Sequence, residues 1–397
     1  MLQAFYFRFF KLFHNERFCC FLSRIAYLLY CLLYILKKLF LKKCNINMNL
    51  EHAQQLINET YPRPCSMPEY INPPINQAID LSVVIPVYNY ADVLEKNVQS
   101  ILNQNTKYNY NVIFVDDGST DGAINILEKY KSNKRVTVIK QKNGGIGAAR
   151  NTGINHATGK YLMFIDCDDT VHEDIIEKLM DKAYRNESDI AICAHNLVKE
   201  KNGKTISVLP NLYPTSNLIG YKNGDKIMNF PGLPWEKVYK RNLWNKVRFF
   251  PGYWYEDTII HSLIFMQCQS YSYIPEALYE YKWYENNFSH TQGKNKSDKV
   301  IDRYWLLIEI LEQYQVLGLE FNNQFYTMLL KHLSVHYYPS IRFLDEEKIE
   351  ALYVLARDIF LRYQPKNRVK LPYMLRQVEK SFQNNDMNLW KLASCSI

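Results

Sequence analysis

The sequence predicts an α/β fold, with a mostly parallel sheet flanked by helices, an N-terminal membrane-associated helix and a C-terminal helical region. Between residues 80 and 200, short apolar runs alternate with helix-like stretches, which is the pattern of β-α-β units with right-handed crossovers. The first 43 residues are apolar and basic, with eight Lys or Arg against one acid, Glu16. Residues 298–315 and 322–363 are helix-like with mixed charge.

The alternating region gives the elements in chain order. Its apolar runs predict strands at residues 81–87, 111–116, 135–139, 161–165 and 189–195. Helices are predicted between them at residues 92–104 and 120–130, from about residue 146, and at 173–184. After residue 200 the alternation stops, and the remaining elements are expected to be built onto the sheet. They include a helix at 258–268 and a short strand within 271–284.

The basic N-terminus predicts contact with an anionic membrane surface rather than with nucleic acid, because the rest of the chain is nearly neutral. Its uninterrupted apolar run covers residues 25–36, fewer than the roughly 20 residues that span a bilayer. A helix lying in the interface is preferred, with a spanning helix over 18–40 and a helix packed on the protein's own core as alternatives. If the helix spans, the lysines that follow favour a cytoplasmic position for the remaining chain. Nine scattered cysteines without metal-ligand spacing also favour a reducing, cytosolic side.

Three of the predicted strands end in unusual residues, at the edge of a parallel sheet at which ligands bind. They are residues 86–89 (PVYN), 116–121 (DDGSTD) and 166–169 (DCDD). Crowded carboxylates repel one another unless a cation or hydrogen bonds compensate their charge. The DCDD cluster therefore favours a hard divalent metal, Mg²⁺ or Mn²⁺, bridged to a diphosphate.

Three other interpretations of these motifs are weaker. DCDDT also fits the nucleophile loop of haloacid-dehalogenase-type phosphatases, but that loop follows the first strand of its fold, and at least three predicted strands precede this one. FVDDGST has neither the phosphoacceptor Asp nor the Lys of a receiver domain after it. Gly145 and Gly147 begin a dinucleotide-binding fingerprint, yet Arg150 stands in the place of its third glycine.

Six motifs, taken in order, make the chain resemble glycosyltransferase family 2. They are VVIPVYN (83–89), VDDGSTDG (115–122), NGGIGAARNTGI (143–154), FIDCDD (164–169), PWEKVYKR (234–241) and YEDT (255–258). The resemblance covers roughly residues 80 to 290. It implies a GT-A fold and transfer from a nucleotide-diphosphate sugar with inversion at the anomeric carbon.

The resemblance implies roles for several residues on the donor side. Pro86 and Tyr88 would surround the nucleotide base, and Asp117 would accept a hydrogen bond from its ring NH, which suits uracil. Arg150 would contact the diphosphate, with a surface salt bridge as the alternative.

Within the DCDD cluster the resemblance distinguishes the carboxylates. Asp166 would face the ribose or the metal, and Asp168 would be the metal ligand that neutralises the diphosphate as the sugar leaves. Asp169 is the member expected to cap a helix.

On the acceptor side, Asp257 of the Glu256-Asp257 pair would take the proton from the acceptor hydroxyl. It could also cap the helix that follows, and the two roles can coexist. Trp235 resembles the family's acceptor-side tryptophan, with a core position as the alternative. Related chains often have an Arg shortly before a Ser after the last strand, where this chain has EN at residues 285–286. His290 is a candidate substitute ligand for metal or phosphate, with a solvated loop histidine as the alternative.

Together these inferences predict an inverting glycosyltransferase at the cytoplasmic face of a membrane. It would use Mn²⁺ or Mg²⁺ to move a hexose or N-acetylhexosamine from a nucleotide-diphosphate sugar, first of all a UDP-sugar. The acceptor would be a glycan or lipid-linked glycan in cell-surface polysaccharide or lipopolysaccharide synthesis. The competing hypothesis is an inactive transferase-like module that binds nucleotide or glycan as a membrane scaffold. The intact DCDD and Glu-Asp motifs favour the enzyme.

The chain divides accordingly into five segments. They are a basic amphipathic membrane-associated segment (1–48), a helix with a Pro-rich linker (49–79), a nucleotide-sugar-binding half (80–200), an acceptor-binding and catalytic-base half (201–295) and a C-terminal helical region (296–397). The linker is placed by five prolines within residues 61–75, which cannot continue a helix.

Overall fold

The computed structural model describes residues 32–44, 46–64, 68–201, 204–210, 218–221, 225–283, 297–365, 367 and 369–395. The chain forms two compact units. One comprises Pro64–Gln292 and Ile308–Leu319 and contains the sheet. The other comprises Met1–Arg63, Gly293–Leu307 and Glu320–Ile397, and its described elements are helices.

Ten strands form one sheet in the described part of the chain. Their bounds are β1 Leu81–Val87, β2 Tyr110–Asp116, β3 Val136–Lys140, β4 Tyr161–Phe164, β5 Thr170–Val171, β6 Ile190–Lys201, β7 Lys204–Pro210, β8 Leu218–Tyr221, β9 Lys237–Lys240 and β10 Ser270–Trp283. Eight of them lie in the order β3-β2-β1-β4-β9-β6-β10-β5, while β7 pairs with β6 and β8 with β10.

The sheet is mixed rather than mostly parallel. Strands β1 to β4 are parallel to one another, as the alternating pattern predicts, and β6 is parallel to β10. Strand β9, however, runs antiparallel between β4 and β6, and β5, β7 and β8 are antiparallel to their partners. The prediction of a mostly parallel sheet is therefore wrong for the second half. In that half, most strands follow the preceding strand in the chain without an intervening α-helix, which a parallel connection needs.

Strand β1 lies inside the first half of the sheet, and all seven of its residues are buried. It pairs with β2 along its whole length but with β4 only from Leu81 to Val84. Pro86 comes after Val84, so β4 no longer pairs with β1 at this position. Its missing N–H therefore costs no strand hydrogen bond, which explains a proline in an interior strand.

The helices confirm most of the sequence prediction. They are α1 Leu50–Thr60, α2 Ala91–Leu102, α3 Ala123–Glu128, α4 Ile146–His156, α5 Ile175–Arg185, α6 Asp302–Val316, α7 Asn323–His332, α8 Tyr338–Ile341, α9 Glu346–Arg362, α10 Tyr373–Gln383 and α11 Met387–Ser394. Helices α2 to α5 alternate with β1 to β6 as expected. The predicted helix over 322–363 is three helices, α7, α8 and α9.

Helix α4 packs closely on β1. At Gly153 of α4, an added Cβ would lie only 2.2 Å from Val84 Cγ1, far inside the contact distance. A residue without a side chain is therefore needed for this helix to approach the sheet. The same helix carries Arg150, so the close approach helps to place that side chain at the sheet edge.

Gly153→Ala is expected to destabilise the sheet unit by about 1–3 kcal/mol, because the new methyl group would force α4 away from β1. Chemical denaturation followed by circular dichroism measures this change. His156→Ala, an exposed position on the same helix, is the control and should change stability by less than about 0.5 kcal/mol. A Gly153→Ala protein as stable as the parent would contradict the close packing.

The N-terminal segment is described only in part. Residues 1–31, which include most of the predicted membrane helix, lie outside the described residues. Residues 32–39 are helical. Among the helices of the described ranges, none is both long enough and apolar enough to cross a bilayer.

Candidate functional site

Three loops lie side by side at one edge of the sheet, because β2, β1 and β4 are parallel neighbours. They are the turn after β1 at residues 88–90, the DDGSTD loop at 116–121 and the acidic loop at 166–169. Apart from Pro86, which lies in β1, the candidate donor-side residues are in these loops and in α4. The sheet order brings these loops together.

Hydrogen bonds join the turn after β1 to the DDGSTD loop. Asn89 has a left-handed backbone with φ of 55°, and its Oδ1 accepts from Thr120 N–H at 2.8 Å. Its own N–H donates to Ser119 Oγ at 3.1 Å. Tyr88, just before this residue, is 46% exposed, whereas Pro86 is buried within β1. Of the two residues predicted to surround the base, only Tyr88 therefore faces solvent.

Asp117 is buried, and its carboxylate holds the glycine-rich turn before α4. Oδ1 accepts hydrogen bonds from Gln141 Nε2 at 2.7 Å and Gly144 N–H at 2.9 Å, and Oδ2 accepts from Gly145 N–H at 2.8 Å. Burial raises the pKa of Asp117 and outweighs the lowering effect of these bonds. A carboxylate has about four acceptor positions, so about one is left for a ligand.

Asp166 and Asp168 lie close together in the acidic loop. Burial, and then the charge of Asp166, raise the pKa of Asp168 to about 7. The Tyr90 hydroxyl donates a hydrogen bond to Asp168 but does not offset these effects. Asp168 is therefore a carboxylate whose ionised form a cation would stabilise.

Asp169 is fully buried and does not cap a helix, contrary to the prediction. Its Oδ2 accepts from the Tyr279 hydroxyl at 2.5 Å and its Oδ1 from Lys282 N–H at 2.8 Å. The Tyr279 hydroxyl also accepts from Asp166 N–H at 3.2 Å. Asp169 and Tyr279 thus fasten the acidic loop to β10, and the next helix begins only at Ile175.

Arg150 joins the acidic loop to the Glu-Asp pair. Its side chain is only 2% exposed, Nη2 donates to Asp166 Oδ1 at 2.8 Å, and Nη1 donates to Glu256 Oε1 at 2.7 Å. Burial opposes the charge of Arg150, but the two carboxylates outweigh it and raise the pKa of the guanidinium. Its Nε is buried without a partner in the described residues. The salt bridge is internal, not at the surface, and contact with a diphosphate remains a prediction.

The Glu256-Asp257 pair follows a strained residue. Tyr255 has φ of 64°, a left-handed conformation that costs about 1–2 kcal/mol. The carbonyl of Asp257 accepts from Ile260 N–H at 2.9 Å, and a π-helix follows at Ile260–Ile264. The predicted helix at this position is therefore present but irregular. Strained residues and π-turns both occur frequently at functional sites.

Trp235 is 5% exposed and lies among other aromatic rings. Its ring stacks with those of Tyr279 and Tyr281, with centroid distances of 4.6 Å and 5.4 Å. The ring of His195 meets it edge-on at 4.9 Å. The indole thus has a core environment, and through the Tyr279 hydroxyl it is connected to the acidic loop.

Two features of the predicted site are not described by the structure. His290 and residues 285–286 lie outside the described residues. Within the described ranges, no group of three or more His, Cys, Asp or Glu side chains is arranged to hold a metal ion. Asp166 and Asp168 therefore offer only part of a coordination shell.

Two residues of the site, Tyr90 and Tyr279, were not found from the sequence. Tyr90 follows the YN turn directly, but nothing local indicates that its hydroxyl reaches Asp168. Tyr279 stands in an aromatic stretch that contains several tyrosines, so its bonds to the acidic loop have no signal of their own. Their roles become visible only in the folded structure, where segments distant in the sequence come into contact.

Comparison with known proteins gives the family. The family model for Glycosyl transferase family 2 matches residues 82–243. The Escherichia coli (strain K12) protein YibD, an uncharacterized glycosyltransferase, is 30% identical over 249 residues, covering 60% of this chain and 72% of YibD. The chain belongs to glycosyl transferase family 2. The predicted family and the class of enzyme are confirmed.

Two further relatives are named transferases. Glycosyltransferase GlyA of Streptococcus pneumoniae serotype 4 is 28% identical over 239 residues, covering 56% of this family 2 chain but 33% of GlyA, so the chain spans about a third of GlyA's length. The Staphylococcus aureus (strain N315) protein TarP, a poly(ribitol-phosphate) β-N-acetylglucosaminyltransferase, is 27% identical over 296 residues. That match covers 70% of this chain and 88% of TarP.

A solved structure shares the fold. The crystal structure of S. aureus TarS 1-349 in complex with UDP-GlcNAc matches with a TM-score of 0.61 and 19% identity, covering 80% of this family 2 chain and 91% of that chain. At this identity the similarity is one of fold alone. It confirms the predicted α/β class with flanking helices, although the sheet is mixed rather than mostly parallel.

Proposed function

We propose that this family 2 chain is an inverting glycosyltransferase that moves a sugar from a UDP-sugar to a glycan or lipid-linked acceptor of the cell surface. The observation that carries the proposal is the Arg150 bridge. One guanidinium pairs with Asp166 at 2.8 Å and with Glu256 at 2.7 Å, so the acidic loop and the Glu-Asp pair are held near each other. A donor at the acidic loop and an acceptor at Asp257 would meet within reach of a direct displacement.

In this proposal Asp257 is the base. It takes the proton from the acceptor hydroxyl while that oxygen forms its bond to the anomeric carbon. The bond from the anomeric carbon to the diphosphate oxygen breaks on the opposite face, and the nucleotide diphosphate leaves with the electron pair. Arg150, whose two terminal nitrogens are engaged, positions Glu256 next to the base.

The acidic loop fits a divalent cation, Mn²⁺ or Mg²⁺, by its own electrostatics. Burial and the nearby Asp166 raise the pKa of Asp168 to about 7, which indicates negative charge that the protein leaves uncompensated. Carboxylate oxygens are the donors that these hard cations prefer. Asp168 would hold the ion together with the Asp166 oxygen that does not bind Arg150. Bound there, the cation would neutralise charge on the leaving diphosphate.

The choice of donor is supported by Asp117 and by the relatives. After its three internal hydrogen bonds, Asp117 keeps about one acceptor position for the ring NH of uracil. The TarS structure contains UDP-GlcNAc, and TarP is named an N-acetylglucosaminyltransferase. UDP-GlcNAc is therefore the first donor to test.

Donor binding and turnover test the proposal. With Mn²⁺, UDP-GlcNAc should raise the thermal midpoint of the full chain, because a ligand at a hundred times its Kd adds about 2.7 kcal/mol to the stability of the native state. Radiolabelled UDP-GlcNAc should then label a glycolipid extract of the source cells, with UDP-glucose, UDP-galactose and GDP-mannose as the comparison panel. Binding without turnover of any donor would support the inactive scaffold instead. If the chain neither binds nor turns over any of these donors, the proposal is refuted.

We also propose that the enzyme works at a membrane surface. Large apolar side chains on and just after the helical residues 32–39 are 43% to 84% exposed; they are Leu32, Leu33, Ile35, Leu36, Leu39 and Phe40. Four lysines accompany them, at positions 37, 38, 42 and 43. Exposed apolar side chains next to basic ones suit the headgroup region of an anionic bilayer.

Replacing Lys42 and Lys43 by Gln is expected to weaken binding to phosphatidylserine-containing vesicles by about 2 kcal/mol, or roughly thirtyfold, at about 1 kcal/mol per lysine. Sedimentation with vesicles at low and physiological salt measures this. Lys129→Gln with Lys131→Gln, two exposed lysines of the sheet unit, is the matched control and should bind like the parent. Equal binding of parent and Lys42/Lys43 variant would contradict the electrostatic contribution.

A further inference from the structure

A buried ionic cluster adjoins Trp235. Glu236 and Lys237 are both 0% exposed, and Glu236 Oε1 pairs with Lys237 Nζ at 2.8 Å. The other carboxylate oxygen, Oε2, pairs with His195 Nδ1 at 2.5 Å. These three residues, called the Glu236 cluster below, have no part in the mechanism proposed above.

Packing alone does not account for the Glu236 cluster. Burying an ion pair costs desolvation that its attraction barely offsets, and apolar residues of similar volume are often equally stabilising. Glu236 also has φ of 62°, a left-handed conformation that costs about 1–2 kcal/mol. Two such costs at one residue are expected where a side chain has a functional task.

The Glu236 cluster fixes the turn that carries Trp235. Lys237 Nζ donates to the carbonyl oxygens of Leu233 at 3.0 Å and Trp235 at 3.4 Å, so the turn closes around the ammonium group. His195, on the neighbouring strand β6, binds Glu236 and also meets the indole edge-on at 4.9 Å. The backbone and the ring of Trp235 are thus both held by the cluster.

Trp235 is connected in turn to the acidic loop. Its ring stacks with that of Tyr279 at 4.6 Å, and the Tyr279 hydroxyl bonds to Asp166 N–H and to Asp169 Oδ2. An uninterrupted series of contacts therefore runs from the Glu236 cluster through Trp235 and Tyr279 to the loop proposed to hold the donor.

We infer that Glu236, with His195 and Lys237, is a positioning residue that sets Trp235 and thereby aligns the acceptor with the donor. The inference rests on the proposed function, in which Trp235 lies on the acceptor side. Burial alone would raise the pKa of Glu236, but the Lys237 ammonium and the bond to His195 outweigh it and lower that pKa. An ionised carboxylate only accepts hydrogen bonds, so Nδ1 of His195 carries the proton, which fixes the orientation of the ring.

Glu236→Gln keeps the shape of the side chain and removes its charge. The apparent KM for the glycolipid extract is expected to rise about tenfold, while the Kd for UDP-GlcNAc with Mn²⁺ and the acceptor-free hydrolysis of UDP-GlcNAc stay within about twofold. Asp189→Asn is the matched control, a buried carboxylate directly before β6 whose Oδ2 accepts from Gln269 N–H at 2.8 Å. It should leave all three quantities unchanged.

Two variants of His195 separate its hydrogen bond from its ring. His195→Phe keeps a ring beside Trp235 and loses the bond, and it should raise the acceptor KM as Glu236→Gln does. His195→Asn places a donor near the Nδ1 position and should restore most of the acceptor affinity. The His195 variants decide the question even if Glu236→Gln fails to fold.

An unchanged acceptor KM in Glu236→Gln and His195→Phe, with only a lower unfolding midpoint, would show a purely structural cluster and overturn the inference. A parallel loss of donor binding would also overturn it, because the effect would then not be confined to the acceptor. A parent chain that turns over no donor at all is a different result. It refutes the proposed function, and the inference falls with it.

Discussion

Asp257→Asn should slow sugar transfer by orders of magnitude while donor binding survives. The amide has the size of the carboxylate, and the backbone carbonyl of residue 257 still accepts from Ile260 N–H, so the irregular helix start can still form. It cannot take a proton from the acceptor hydroxyl at neutral pH. Because a positioned general base contributes roughly 10²–10⁴-fold to the rate, kcat is expected to fall by about that factor.

Initial rates of transfer from UDP-GlcNAc to the glycolipid extract measure the effect, and calorimetric titration with UDP-GlcNAc and Mn²⁺ measures donor binding. Glu173→Gln removes an exposed carboxylate that lies between β5 and α5, outside the site described above, and should change neither quantity. If Asp257→Asn lost donor binding but kept transfer per bound donor, Asp257 would not be the base. Asp257 would then contribute to donor binding, because its neighbour Glu256 is paired with Arg150, which also contacts the acidic loop.

Asp168→Asn, in contrast to Asp257→Asn, should lose metal-dependent binding of the donor. The variant chain should still fold well. The variant removes the carboxylate proposed as the main ligand of the cation. It also removes a charge that the protein leaves uncompensated, since burial and the nearby Asp166 raise the pKa of Asp168 to about 7. Without metal, Asp168→Asn should therefore be more stable than the parent near pH 8.

The pKa of Asp168 determines how the stability difference between Asp168→Asn and the parent changes with pH. The pKa of Asp168 is raised from 3.8 in an unfolded chain to about 7 in the folded one, so the folded chain keeps a proton that the unfolded chain releases. The stability from that proton is full below about pH 4 and is lost as the pH rises through 7. The stability gap between Asp168→Asn and the parent should grow over this window, by at most about 4 kcal/mol, and then level off.

Thermal unfolding between pH 4 and pH 8, with and without Mn²⁺ and UDP-GlcNAc, measures both effects. At pH 8 the added metal and donor should reverse the order, because only the parent gains stability from them. Glu173→Gln again provides the control and should follow the parent throughout. If the metal stabilises Asp168→Asn as much as it stabilises the parent, Asp168 is not a ligand of the proposed cation.

The first half of the fold was predictable because its signals are local. An apolar run of strand length followed by a helical period marks each β-α unit, and β1 to β4 lie within a residue or two of the predicted bounds. The second half lacks this signal. Strand β9 has four residues, and it enters antiparallel between β4 and β6, which no pattern within PWEKVYKR indicates.

The acidic loop shows the same limit at the level of single residues. Composition predicts that crowded aspartates at a strand end need compensation, and the raised pKa of Asp168 agrees with this expectation. Yet Asp169, which the sequence assigned to a helix cap, is bound by the Tyr279 hydroxyl and Lys282 N–H of β10. Its partners stand more than a hundred positions later in the chain, so no local feature distinguishes it from its neighbours.

By itself the sequence determined the β-α alternation, the motifs at the strand ends and, through their order, the family. These features depend on burial periodicity and turn chemistry, which a short segment carries within itself. Only the tertiary structure decided that Arg150 joins Asp166 to Glu256, that Tyr279 fastens the acidic loop and that Glu236 lies buried beside Trp235. The physical reason is that each of these contacts depends on the order and direction of strands in the sheet, which is settled by long-range packing.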